Sequence, residues 1–100
     1  MRIIVCDPIA SDGIELLRTR AEVDVRLGLT PEALESIIGQ YDAAVVRSET
    51  KITSTILAAG SQLKAVGRAG VGIDNIDVDA ATRHGIVVVN APTGNNIAAA

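Results

Sequence analysis

The apolar residues of this chain fall into five short runs, separated by stretches with helical spacing or by polar breaks. Arg2-Ile-Ile-Val-Cys6 is a continuous apolar run rich in β-branched residues, the pattern of a strand buried on both faces, and Asp7-Pro8 ends it. Ser11 is placed as an N-cap, with Ile14, Leu16, Leu17 and Ala21 lending a loose apolar face to a helix that reaches about Arg20. Glu22-Val-Asp-Val-Arg-Leu27 alternates polar and apolar residues, which predicts a strand near a sheet edge, closed by Gly28. Thr30-Pro31 opens a second helix with Thr30 as its cap and Pro31 at the first helical position. Leu34, Ile37 and Ile38 form its apolar face and Gly39 its end.

The second half repeats the scheme. Tyr41-Asp-Ala-Ala-Val-Val46 predicts a central third strand, followed by the polar loop Arg47-Ser-Glu-Thr-Lys51. Thr53 starts a helix that carries Ile56, Leu57 and Leu63 toward the sheet and breaks at Gly60, after which residues 63–66 form the fourth strand. Residues 77–84 predict a short helix with acidic residues in its first turn, basic ones in its last and Gly85 as its C-cap. Residues 86–89 are the fifth strand and 90–96 a loop, and Ile97-Ala-Ala-Ala100 reads as the first turn of a further helix.

Strands alternating with helices imply right-handed crossovers and a parallel sheet covered on both faces, an α/β three-layer sandwich. The wetter second strand suits an edge, and the apolar first and third suit the middle, so the flavodoxin-like order 2-1-3-4-5 is expected. In such folds ligands bind outside the carboxyl ends of the strands. Asp7, Arg47 with Ser48, Arg68 with the glycines after it, and Asn90 through Asn96 each follow a predicted strand directly. All of them therefore fall on one rim.

A chain of 100 residues, 48% hydrophobic, suits one small domain with a genuine core, which must be aliphatic because Tyr41 is the sole aromatic residue. A formal net charge of -3, with nine basic residues scattered along the chain, argues against a nucleic-acid or membrane-surface partner. Cys6 is the single cysteine, so no internal disulfide forms, and the apolar start is too short for a signal peptide or a membrane span; a cytoplasmic location is the expectation.

Candidate chemistry centres on residues 63–77, where an apolar run meets Gly67, Arg68, Gly70 and Gly72. Glycines there allow close approach of the backbone to a ligand or a positive φ, and Arg68 adds a permanent charge. The string Gly70-Val-Gly-Ile-Asp-Asn75 is a weak dinucleotide fingerprint: Asn75 stands where the third glycine belongs, and no acidic residue ends a strand about 20 residues on. A substrate loop is the better reading. Arg47 and Arg68, on neighbouring strand ends beside free amides, suit a small anion such as a carboxylate or phosphate. The plain alternative pairs them with Glu49, Asp74 or Asp77, and the glycines are equally residues of ordinary turns. Asn95 and Asn96 also fit a helix cap, His84 a dipole-complementing surface position, and Cys6 a small core residue. Asp7 suggests Mg²⁺, as in phosphoacceptor domains, but Arg47 occupies the place where such a domain carries its acidic acceptor.

Val46-Arg-Ser-Glu-Thr-Lys51, Gly67-Arg-Ala-Gly-Val-Gly-Ile-Asp-Asn-Ile-Asp77, Ala80-Ala-Thr-Arg-His-Gly-Ile86 and Val89-Asn-Ala-Pro-Thr-Gly-Asn95 together resemble the D-isomer-specific 2-hydroxyacid dehydrogenases. The resemblance implies that residues 1–96 form most of a flavodoxin-like substrate-binding domain. Residues 97–100 then begin a helix that crosses to a separate NAD-binding domain. It implies that Arg47 and Arg68 contact a small anionic 2-hydroxy acid. The amides around Ala69, Gly70 and Val71 lie against its carboxylate, Val71 lies near the nicotinamide, Asn95 adds a rim contact and Asn90 shapes the loop. The family's catalytic arginine, glutamate and histidine match nothing here. NAD belongs to the parent enzyme, with no tight binding by this chain alone, and catalysis by the chain alone is not expected. The last covering helix of the substrate domain also lies later in such chains. The uncovered sheet face then favours a homodimer, and the alternatives to a dehydrogenase portion are an isolated folding unit, a self-associating fragment or a weak small-anion binding module.

Overall fold

In the computed structural model, which describes residues 1–69 and 74–91, the apolar runs become one five-stranded sheet. The strands are β1 (Arg2–Val5), β2 (Glu22–Val25), β3 (Ala43–Val46), β4 (Ala65–Ala69) and β5 (Val87–Ala91). All pairings are parallel, and the order is β2-β1-β3-β4-β5, as the pattern of wet and dry strands predicts. Between them run α1 (Ser11–Arg18), α2 (Pro31–Ile37), α3 (Ser54–Ala59) and α4 (Val78–Arg83), with a 3-10 turn at Ile38–Gln40.

The order decides which face each helix covers. The chain steps one way from β1 to β2 and the other way at every later crossover, so right-handed connections put α1 alone on one face and α2, α3 and α4 on the other. The second face holds the core. Ile4, Cys6, Ala44, Val46 and Val66 point into a cluster with Leu34, Ile38, Ile56, Leu57, Ala80 and Ala81 from the helices. On the reverse face Ile3 and Val5 are buried, yet α1 contributes no buried residue, and Val87 and Val89 are 61% and 49% exposed. Gly67 lies between Val45 and Val89 in register, and a Cβ placed there meets nothing within 4 Å among the described residues. Among the described residues, none therefore covers β4 and β5 on that side.

Several boundaries differ from the sequence pattern. β4 runs on through Gly67, Arg68 and Ala69 rather than ending at Val66, because a parallel ladder pairs backbone groups, and β3 and β5 offer partners as far as Val46 and Ala91. Gly67 and Arg68 are thus strand residues, and Gly67 has no positive φ. Asn90 likewise belongs to β5, opposite Arg68, and not to a loop. Ser11 is the first residue of α1 and not its cap: Ala10 holds the extended cap position, and its carbonyl accepts from Gly13 and Ile14. Leu16 of the expected apolar face of α1 is 39% exposed. Gly39 does not close α2; it sits inside the 3-10 turn, where a Cβ would come within 2.9 Å of the Ala59 carbonyl oxygen. Tyr41 and Leu63 pack in the core from just outside β3 and α3. β2 stops at Val25, leaving Leu27 half exposed. Thr30 caps α2 as expected, its hydroxyl accepting from Ala33 N–H, and Gly85 takes φ +71° just after α4.

A charged cluster closes the amino end of the sheet. Asp24 accepts from the Tyr41 hydroxyl at 2.6 Å and from Arg2 at 3.2 Å, while the Arg2 guanidinium lies 4.8 Å over the Tyr41 ring. The Tyr41 hydrogen bond, aided by Arg2, holds the Asp24 carboxyl below its ordinary pKa, and burial with the same bond pushes the Tyr41 phenol up. A lowered carboxyl pKa contributes stability that is present above the unfolded value and lost as pH falls through the folded one. Wild-type stability in urea is therefore expected to fall between about pH 5 and pH 3, and Asp24→Asn to be less stable at neutral pH with a flatter acid limb. Parallel acid limbs in the two proteins would show that the cluster carries no such linkage.

Cys6 is 2% exposed, and burial together with the nearby Asp7 charge pushes its thiol up to about 12. Relative to the ordinary value of 9.0, the reactive thiolate at a given pH falls about 1,000-fold. A thiol reagent at pH 8 is expected to leave the native chain unmodified and to label Cys6 stoichiometrically in denaturant. Rapid native labelling would show that β1 opens locally.

Candidate functional site

The carboxyl rim is built around the segment that leaves β3. Val46 is fully buried, and the exposed residues Arg47, Ser48 and Glu49 follow it immediately. Asp7, at the end of β1 and 3% exposed, turns its carboxylate under this segment. Its Oδ2 accepts from the Arg47 and Thr50 amides at 2.8 and 2.9 Å, and its Oδ1 accepts from the Thr50 hydroxyl at 2.5 Å. Three donors on one buried carboxylate provide the charge-assisted bonding that makes its burial tolerable. The Mg²⁺ reading of Asp7 gives way to this: both oxygens already serve the loop.

Asn75 grips the same segment through its carbonyls. Its Nδ2 donates to Arg47 O at 2.5 Å and to Thr50 O at 2.6 Å. Its backbone carbonyl accepts from Ile52 N–H, and Ile52 O accepts from Asp77 N–H, which makes a short parallel bridge between Ile52 and Ile76. Asn75 Oδ1 is buried and meets no hydrogen-bond donor among the described residues. The two Nδ2 bonds fix the orientation of the amide. Thr53 and Asp77 then cap α3 and α4, accepting from Ile56 and Ala80 N–H, so the helices start directly behind the rim.

The register places the predicted arginines on adjacent strand ends. Val46 pairs with Arg68, so Arg47 lies one residue beyond the partner of Arg68, and Arg68 pairs in turn with Asn90. Arg47, Arg68 and Asn90 occupy adjacent strand ends, with Ala69 at the tip of β4 opposite Ala91. Arg47 is exposed, and its Nη1 donates to Pro8 O at 3.4 Å. Glu49, Asp74 and Asp77 make no ion pair with it; among the described residues the ion pairs are those of Arg2 with Glu22 and Asp24. Gly70, Val71, Asn95 and Asn96, expected at the same rim, lie outside the described residues. His84 is exposed at the end of α4, on the far side of the fold from the rim.

Beside the rim, a cleft of about 350 Å³ opens between the 49–53 segment and the start of α2, with Asp7, Leu34, Thr50 and Lys51 in its wall. The turn after β1, where a dinucleotide fold seats its pyrophosphate, carries the Asp7 carboxylate and therefore does not suit NAD. Among the described residues, the rim gathers Arg47, Arg68 and Asn90 on adjacent strand ends. The sequence pattern points to the two arginines on neighbouring strand ends but not to the Asp7 and Asn75 bonds that hold the segment from Arg47 to Thr50. For Asn75 a signal was present, since it breaks the glycine spacing of the Gly70–Asn75 string where a polar side chain is otherwise unexplained.

Residues 3–100 match the sequence profile of the D-isomer-specific 2-hydroxyacid dehydrogenase catalytic domain. The D-3-phosphoglycerate dehydrogenase of Synechocystis sp. is 57% identical over 99% of this chain, which spans 18% of that relative. Among solved structures, a Pyrococcus horikoshii protein superposes with a TM-score of 0.87 at 32% identity, over 90% of this chain and 27% of the other. The NAD⁺-bound 3-phosphoglycerate dehydrogenase of Entamoeba histolytica superposes with a TM-score of 0.79 at 34% identity, over 90% and 32%. Sequence profile, relatives and fold agree, and the chain belongs to the D-isomer-specific 2-hydroxyacid dehydrogenase family.

Proposed function

We propose that this chain is the substrate-binding portion of an NAD-dependent D-3-phosphoglycerate dehydrogenase, which oxidises 3-phosphoglycerate to 3-phosphohydroxypyruvate in cytoplasmic serine biosynthesis. The observation that carries the reading is the pairing of Val46 with Arg68, which puts two arginines on adjacent strand ends at the carboxyl rim. The identity to the Synechocystis enzyme supports the substrate class. In this reading residues 1–96 are the substrate-binding unit, and 97–100 lead to an NAD-binding domain. Arg47 and Arg68 hold the anionic groups of the 2-hydroxy acid, with the amides of Ala69, Gly70 and Val71 and the side chain of Asn95 as further contacts. NAD supplies the hydride acceptor and is held by the other domain, with Val71 near its nicotinamide. This chain binds and orients one substrate, and the acid-base group of the reaction comes from elsewhere.

The reading is tested with the 100-residue chain in two measurements. With 3-phosphoglycerate and NAD⁺, no NADH is expected. In an amide-shift titration, 3-phosphoglycerate is expected to move the signals of Arg47, Arg68 and Ala69, and Arg47→Ala to weaken binding roughly 10–100-fold, the range for loss of a charge-assisted contact. Steady turnover, or rim amides that stay still at saturating ligand, would overturn it.

The exposed reverse face favours a second reading, in which the chain self-associates. Among the described residues nothing covers the sheet around Gly67, Val87 and Val89, and a flat apolar surface of that kind is covered in most folds. Sedimentation is expected to show a concentration-dependent dimer that Val89→Lys disrupts. A monomer at millimolar concentration excludes it.

A further inference from the structure

We propose that Asp7 and Asn75 are positioning residues, which set the direction of Arg47 over the rim without touching the anion themselves. The inference rests on the reading of Arg47 as an anion contact, and it adds what gives that contact its geometry. Arg47 follows the last residue of β3, so its own ladder bonding has ended and its backbone would otherwise be free to swing. Instead, its N–H donates to Asp7 and its C=O accepts from Asn75, one from each side. Three residues on, the Thr50 N–H and C=O are held by the same two side chains. Four backbone groups of a four-residue segment thus end on two side chains, one from the end of β1 and one from the approach to α4.

The choice of residue types supports a role beyond folding. A carboxylate beneath an anion site opposes the ligand's charge, and a threonine amide and hydroxyl would be satisfied by a neutral acceptor. What the carboxylate adds is rigidity, since its two oxygens bind three donors in fixed directions. The Asn75 amide is suited to two carbonyls at once, because it is a double donor with no charge. Held this way, the backbone of Arg47 leaves the strand in one direction, so its side chain starts from a fixed point above the rim and the segment loses less entropy when an anion binds.

The test reads Arg47 directly. ¹⁵N relaxation of the Arg47 and Thr50 backbone amides in the 100-residue chain is expected to show an ordered segment that becomes mobile in Asn75→Ala and in Thr50→Val. Cys6 should remain protected from a thiol reagent in both, reporting an intact fold. Affinity for 3-phosphoglycerate should fall roughly tenfold in each. Thr50→Ser, which keeps the hydroxyl, should restore what Thr50→Val loses. In an Arg47→Ala background, Asn75→Ala should cost nothing further, because its effect acts through Arg47. Unchanged Arg47 order in both variants, or a loss of affinity that persists without Arg47, overturns the proposal. If Arg47 order falls with Asn75→Ala while Arg47→Ala leaves affinity intact, the positioning stands and the anion reading of Arg47 fails.

Discussion

One buried carboxylate governs the business end of this fold. Asp7 sits where β1 leaves the sheet, and the neighbouring strand β3 leaves one residue later, at Val46. A parallel sheet offers no ladder partner beyond its last paired residue, so the segment that follows must find other acceptors or lie in water. Asp7 supplies them from below and Asn75 supplies donors from the side. The start of α3, the short bridge of Ile52 to Ile76 and the cap of α4 all come after this anchored segment and inherit its position. Without the carboxylate the rim would still be polar, but its arginine would have no fixed address.

The layers of the fold were legible because strands buried on both faces and helices buried on one write different patterns. Ile3 to Cys6, the alternating Glu22 to Val25 and the Thr30-Pro31 start announce a central strand, an edge and a helix with little ambiguity. Glycine misled in two places. At Gly67 it suggested a loop, yet a parallel ladder is indifferent to the missing side chain and continued through it. At Gly39 it suggested a helix end, whereas the position is small because α3 packs close against the 3-10 turn. Ser11 misled for a related reason: capping depends on which carbonyl closes the first turn, and that was Ala10.

Of the site, the charged residues were legible and their supports were not. Arg47 and Arg68 stand out because each follows an apolar run, and the strand order then makes them neighbours. Asp7 and Asn75 lie 40 and 28 residues from Arg47 in sequence, and nothing local marks a side chain whose partners are backbone groups that far away. Contacts of that kind carry no periodicity. They become visible only when the sheet register is known.

The two ends of the sheet carry unlike chemistry. Arg2 and Tyr41 hold Asp24 toward the amino end, while Arg47 lies three residues beyond the level of Asp24 and two strands across, about 10 Å along the sheet at 3.3 Å per strand residue. Effects at sites so far apart with no shared partners add nearly independently. The sheet thus acts as an insulating spacer. Acid response at the Asp24 cluster and the geometry of the Arg47 segment are therefore separable, and either can be altered without disturbing the other.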